Sequence, residues 1–257
     1  MKDRHFITAL SRGLDVLSCF RSSSLVLGNQ DIAERCRLPK STVSRLTYTL
    51  TKLGYLQYVA ESAKYRLGSA ALALGSAALG RFEMRSIARP LMQELADETG
   101  TSVALGARRQ LDMVCVEACK GKAVLSLNLE VGMHLPMATS ASGRAYLAAC
   151  TDIERYDVLD QMKEQDPSSY PNIRRIMKDA QTSYRDLGIC SSFGEWQPDV
   201  NGIAVALRPG KGLPPISIHC GGAAHKASKD YLIDEVRPRL LEISRRIQDG
   251  LGRGAHG

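Results

Sequence analysis

The 257-residue sequence predicts an α+β chain in two parts, a winged helix-turn-helix at the N-terminus joined by a linker helix to a larger domain with a mainly antiparallel sheet. Three observations carry this expectation. Residues 29–54 read as two short helices around a tight turn. A strand, turn and strand pattern follows directly. The basic excess of the chain lies wholly in this first third: residues 1–82 hold 12 Lys and Arg against 5 Asp and Glu, whereas residues 83–257 hold 22 of each. A basic module on a neutral body points to a phosphate-binding end and a separate task elsewhere.

Taken in order, a first helix is expected over Thr8–Phe20, with Phe6, Leu10, Leu14 and Leu17 on the face that braces the next two helices. Ile32 and Ala33 supply the inward face of the second helix, and Leu38 and Pro39 break the chain. In the third, Val43, Leu46, Leu50 and Leu53 recur at three and four residues as an amphipathic stripe. Its other face carries Lys40, Ser41, Thr42, Ser44, Arg45 and Tyr48. Cations and hydroxyls of this kind bond phosphate oxygens and base edges, and they crowd into the N-terminal half, the part of such a helix that enters a major groove. A merely solvated helix would also show a polar outer face; the turn spacing, the hairpin that follows and the charge split favour double-stranded DNA. After Gly54, residues 55–60 and 65–67 read as two strands of a wing, with Lys64 and Arg66 placed to meet the DNA backbone.

Ser69–Gly80 mixes Leu with Ala, Gly and Ser and reads as a linker helix, so the expected boundaries are 1–68, 69–82 and 83–252, with a disordered tail at 253–257. A helix marked by Ile87, Leu91 and Leu95 stops at Gly100. Strands are expected at 101–107, 112–118 and 123–129, with turns at 108–110 and 120–122, then helices at 142–150, 152–164 and 172–187. Strands return at 189–193, 200–207 and 215–220 before a closing helix over 226–250.

Several classes are disfavoured. No stretch approaches the roughly 18 apolar residues of a membrane span, and Ser11, Arg12 and Asp15 interrupt any signal-peptide pattern, so a cytoplasmic protein without membrane contact is expected. Seven scattered cysteines fit reduced thiols better than a disulfide framework, and Cys115 and Cys119 lie in strand alternation, so neither metal nor cofactor is expected. His219 and Cys220, with His225 nearby, could suggest a thiol and base, yet adjacent strand residues point to opposite faces. Ser140-Ala-Ser-Gly143 lacks the first glycine of a nucleophile elbow. No catalytic residue is assigned.

The chain resembles the IclR family of bacterial transcriptional regulators. Leu38-Pro-Lys-Ser-Thr-Val-Ser-Arg-Leu46, Leu53-Gly-Tyr-Leu56 and Tyr65-Arg-Leu-Gly68 are similar in order and spacing to its winged-helix signature. Leu91–Thr101, Glu130–Met137, Ser140-Ala-Ser-Gly-Arg-Ala145 and the helix ending Glu242–Ile247 are similar to its effector-binding domain, which implies a GAF-like fold. The resemblance further implies a homodimer or dimer of dimers that binds promoter DNA and senses a small organic acid, with repression or activation left open. In the family, amides opening the helix of the Ser140–Ala145 motif hold the effector carboxylate, which places Ala141 and Ser142 there between Ser140 and Gly143. An anion at a helix N-terminus is also what the helix dipole favours. Met133 and Leu135 would line the apolar wall.

Two departures stand out. Arg37 occupies a turn position where the family has glycine, so a left-handed backbone there would cost on the order of 1 kcal/mol. The family's pocket Asp, Cys and two Ser fall on Ser192, Gly202, His219 and Gly221, which implies a larger, less hydroxylated cavity and an aromatic or branched acid. Trp196, in a loop at the pocket mouth, reads as a lid on the effector or as an anchor on the sheet. The competing class is a metabolite-converting enzyme for which the basic end is only a tether.

Overall fold

A computed structural model describes residues 5–20, 24–80, 83–121, 129–210 and 213–254. The chain divides into two compact units, 1–82 and 83–257.

In the first unit, α1 (Thr8–Ser18), α2 (Asn29–Cys36) and α3 (Lys40–Lys52) precede a hairpin of β1 (Leu56–Val59) and β2 (Lys64–Leu67) and the helix α4 (Ser69–Gly80). The strands are antiparallel, with Val59 opposite Lys64 and Gln57 opposite Arg66, and Leu27 bridges to Tyr65 as a short third strand. Val16, Leu27, Ile32, Val43 and Leu56 form the core.

Three details differ from the sequence reading. α1 ends at Ser18, and its buried residue is Val16, while Phe6, Leu10 and Leu14 are 61%, 60% and 54% exposed. Of the predicted bracing face only Leu17 packs on the core and the other three turn outward, because α1 meets α2 and α3 along the side that carries Val16 and Cys19. In α3, Leu53 is exposed beyond the helix end and Thr47 takes the inward place. That hydroxyl is accommodated because it donates to Val43 O (3.0 Å) and Asn29 Oδ1 (3.1 Å). A polar residue that is fully bonded can replace an apolar one at a core position.

The turn between α2 and α3 is left-handed at Arg37 (φ 54°, ψ 43°), and Leu38 N–H closes it on Ala33 O at 3.0 Å. A Cβ in that conformation costs about 1–2 kcal/mol, partly offset because glycine would loosen the unfolded chain. Arg37→Gly is expected to stabilise the first unit by roughly 0.5–1 kcal/mol, read as a higher urea midpoint of its circular-dichroism transition.

In the second unit, α5 (Glu83–Thr99) leads into β3 (Ser102–Arg109), β4 (Asp112–Lys120), β5 (His134–Pro136), α6 (Ala141–Ala149), α7 (Asp152–Gln165), α8 (Tyr170–Leu187), β6 (Cys190–Phe193), β7 (Val200–Leu207) and β8 (Ile216–Ala223). A one-turn helix α9 (Lys229–Tyr231) and a π-helical turn (Leu232–Val236) open α10 (Arg237–Gly254). The strands form one antiparallel sheet in the order β5-β4-β3-β8-β7-β6. α5 and α10 cover one face; α6 and α8 cover the other, with α7 packed on α8. α6 touches all six strands, so the sheet curls around it as the half-barrel of a GAF-like fold.

Here too the structure refines the sequence reading. α5 buries Met84, Ala88, Met92, Leu95 and Ala96, with Ile87 and Leu91 only half-buried at its flank. The β3–β4 turn tightens to Gln110 and Leu111, because Arg108 and Arg109 still pair in the ladder. The strand expected at 123–129 falls on residues 122–128, outside the described residues, and Leu129 is in no strand. The closing helix starts at Lys229, where Ser228 Oγ caps Tyr231 N–H at 3.2 Å. Its π turn has a local cause: Pro238 brings no N–H, and Arg237 Nε donates to Ile233 O at 3.1 Å. The helix runs on to Gly254, into the segment expected to be disordered; residues 255–257 lie outside the described residues.

Candidate functional site

The polar face of α3 stands clear of the first unit's core. Lys40, Ser41, Ser44, Arg45 and Tyr48 are exposed and Thr42 is half-buried. Two of them are positioned by α2: Lys40 Nζ donates to Gln30 Oε1 (3.2 Å), and Asn29 Nδ2 donates to Ser44 Oγ (3.3 Å). Asn29 also accepts from Thr47, so one side chain links the start of α2 to two turns of α3. Lys52 Nζ sits 5.5 Å from the centre of the Tyr48 ring. Arg45 has no polar side-chain partner among the described residues. On the hairpin, Arg66 Nε donates to Gln57 Oε1 at 3.0 Å, while Lys64 is half-buried beside the left-handed Ala63. Arg35, not singled out from the sequence, donates to Cys19 O (2.9 Å) and Ser24 Oγ (3.1 Å), fixing α2 against the end of α1.

The second unit encloses a cavity of about 350 Å3, mouth included, between the N-terminus of α6 and strands β6, β7 and β8. Ser140 caps α6: its Oγ accepts from Gly143 N–H (3.1 Å) and donates to Pro136 O (2.7 Å), and its carbonyl accepts from Arg144 N–H. The amides of Ala141 and Ser142, both in the cavity wall, are left for another acceptor. Gly143 stands behind them, where a Cβ would lie only 2.2 Å from Met137 O, so the helix can approach that loop only as glycine.

Across the cavity, register lines up Ser192, Gly202 and Gly221 on adjacent strands. A Cβ on Gly221 would meet Asn201 O at 2.7 Å. Gly202 and Gly221 both line the cavity, where their strands pack too closely for a Cβ on Gly221. Two residues along β8, His219 lies between Ala104 of β3 and Ala204 of β7, and neither of its ring nitrogens has a partner. Burial lowers its pKa to about 4, so the ring is neutral near pH 7. Ser217, two further residues along, shares a 2.6 Å hydrogen bond with Ser142 and so fixes this face of β8 against α6. Among the described residues, no Asp, Glu, Lys or Arg lines the cavity.

The structure brings Leu135, Ser140, Ala141, Ser142, Ser192, Gly202, His219 and Gly221 to this one cavity. Met133 lies outside its wall, contrary to the sequence reading, and packs on the adjoining core. The reason is local: β5 begins only at His134, after the left-handed Gly132, so strand alternation does not carry back from Leu135. Trp196 lines the cavity and packs on the core beneath it, as expected of an anchor for its loop. Its loop is held by buried Arg144, which donates to Ala138 O (2.9 Å), Ser191 O (2.6 Å) and Glu195 Oε1 (3.1 Å). An arginine in the first turn of a helix next to a serine-rich motif was the available signal for that tie.

Residues 76–249 match the family description "Bacterial transcriptional regulator IclR C-terminal", and residues 9–60 match the "IclR helix-turn-helix domain". The chain belongs to the IclR family. It is a transcriptional regulator with an N-terminal DNA-binding domain and a C-terminal effector-binding domain. An IclR-family regulator of Brucella abortus has a similar crystal structure, at 41% identity and a TM-score of 0.81, covering 97% of this chain and 94% of that one. The regulator TsaQ1/TsaQ2 of Comamonas testosteroni is 33% identical over 94% of this chain and 87% of its own length. An IclR homologue of Microbacterium hydrocarbonoxydans, solved with 4-hydroxybenzoate, shares the fold at 23% identity and a TM-score of 0.72, over 96% of this chain and all of that one. Among the described residues no helix is long and apolar enough to cross a membrane, and no three metal-ligating side chains gather at one place.

Proposed function

We propose that this IclR-family regulator reads a promoter operator in the cytoplasm as a homodimer or dimer of dimers, and that a small carboxylate in the α6 cavity alters that binding. On the DNA side the residues are Lys40, Ser41, Thr42, Ser44, Arg45 and Tyr48 of α3, with Lys64 and Arg66 of the hairpin. The exposed Phe6 just before α1, Leu10 and Leu14 of α1, and Leu72 and Leu74 of α4 support self-association, since apolar faces of this kind are covered in symmetric oligomers. A two-fold pair would set two α3 helices about one DNA turn apart.

The observation that carries the effector reading is the pair of amides at the head of α6, in a cavity with no carboxylate among its described lining residues. Donors at the positive end of a helix dipole favour an anion. The IclR homologue solved with 4-hydroxybenzoate supports an acid of aromatic size. For the acid to regulate, it must bind one DNA-spacing state of the oligomer more tightly than the other.

The chain is not an enzyme on this reading. Cys220 is wholly buried with its thiol pushed well above the ordinary range, and it alternates with His219 along β8, so the two form no dyad. Turnover of a bound acid, abolished by Cys220→Ala, would overturn this.

Arg45→Ala tests the DNA side. It is expected to weaken operator binding by roughly 1–3 kcal/mol with acid binding unchanged, in fluorescence anisotropy on DNA from upstream of the gene. An unchanged affinity would remove Arg45 from the reading face.

A further inference from the structure

We infer that the acid recognised by this cavity also carries a hydroxyl group, which exchanges hydrogen bonds with His219. The inference rests on the carboxylate reading above and adds a second recognition point to it. His219 is buried, and both ring nitrogens are without a partner among the described residues. An unpaired buried polar atom is costly, so the described residues do not themselves reward an imidazole here. An apolar side chain of similar size would pack between Ala104 and Ala204 without that cost.

The neighbouring hydroxyls do not answer it. Ser142 Oγ is engaged with Ser217 Oγ at 2.6 Å, and Ser192 Oγ donates to Thr139 O at 2.7 Å. Ser140 Oγ is used by the cap of α6. Among the described residues, the Ala141 and Ser142 amides and the two nitrogens of His219 are left in the wall without a partner. Their chemistry differs. Amides only donate, and a carboxylate, which only accepts, satisfies them completely. A neutral imidazole has one N–H and one lone pair, so it needs an acceptor and a donor. A carboxylate supplies no donor. A hydroxyl can donate to that lone pair or accept from that N–H, and Gly202 and Gly221 of the same cavity wall lie two residues along from His219.

The test is isothermal titration of the full-length protein with matched acids: benzoate against 2-, 3- and 4-hydroxybenzoate, and butyrate against 2- and 3-hydroxybutyrate. At least one hydroxylated acid is expected to bind tenfold or more tightly than its parent, and His219→Phe is expected to erase that advantage. Equal binding of parents and hydroxylated acids, or an advantage that survives in His219→Phe, would overturn the hydroxyl inference and leave the carboxylate reading standing. Binding of none of the acids would instead overturn the carboxylate reading. Should His219→Phe not fold, nitrogen NMR of the wild-type ring decides: the hydroxylated acid must shift the His219 Nδ1 and Nε2 resonances and its parent must not, and identical spectra would refute the contact.

Discussion

Replacing Arg85 and Arg89 together by alanine is expected to destabilise the second unit by about 3–5 kcal/mol. Both guanidiniums pair with Glu117, whose side chain is 2% exposed in the middle of β4 under α5. The carboxylate also accepts from Ala118 N–H at 3.1 Å. The asymmetry of the cluster sets the size of the effect. The arginine side chains are 37% and 57% exposed and would regain water if Glu117 were removed. Without them the buried carboxylate would keep a single weak partner, and an unpaired buried charge is costly. Either single variant leaves one cation and should cost less than half as much. Urea unfolding followed by Trp196, the only tryptophan, reports on this unit alone. A loss under 1 kcal/mol in the double variant would show that Glu117 is not held by these pairs.

His219 makes the second unit sensitive to acid. Its pKa is lowered from 6.5 to about 4 by burial, so between these values the unfolded chain takes up a proton that the folded one refuses. The contribution is full above pH 6.5, declines as pH falls, and is spent once the folded ring protonates near 4. At about 1.36 kcal/mol per pH unit this amounts to roughly 3 kcal/mol. The Trp196 transition of the wild type should therefore lose roughly 3 kcal/mol more than that of His219→Phe between pH 7 and pH 4. Equal losses would mean that the ring protonates as freely in the fold as in water.

Much of this was legible beforehand because it rests on local chemistry. The stripe and turn of α2 and α3, the Ser140 cap and the alternation along β7 and β8 are each set within a few residues. What was hidden depends on partners far along the chain. The outward turn of Leu10 and Leu14 is decided by which side of α1 its neighbours occupy. Thr47 is acceptable inside only because Asn29 waits for its hydroxyl. In β4 the register shifts against Leu105 and Gly106, leaving Val116 unpaired, so Met113 and Cys115 join the core under α6 while Glu117 and Cys119 face α5. A strict period of two would have put all four on one side. The Glu117 cluster could not be read from sequence for that reason.

The curl of the sheet around α6 divides the cavity into a half that is free to change and a half that is not. A helix in touch with six strands cannot move or lose its glycine without disturbing all of them, so the anion-binding end is locked to the fold itself. Gly221 is bound in the same way by the carbonyl of Asn201. Ser192 and His219 carry no such backbone constraint. On the reading proposed above, a regulator built like this could exchange the body of its signal molecule at those two side chains while keeping the acid group.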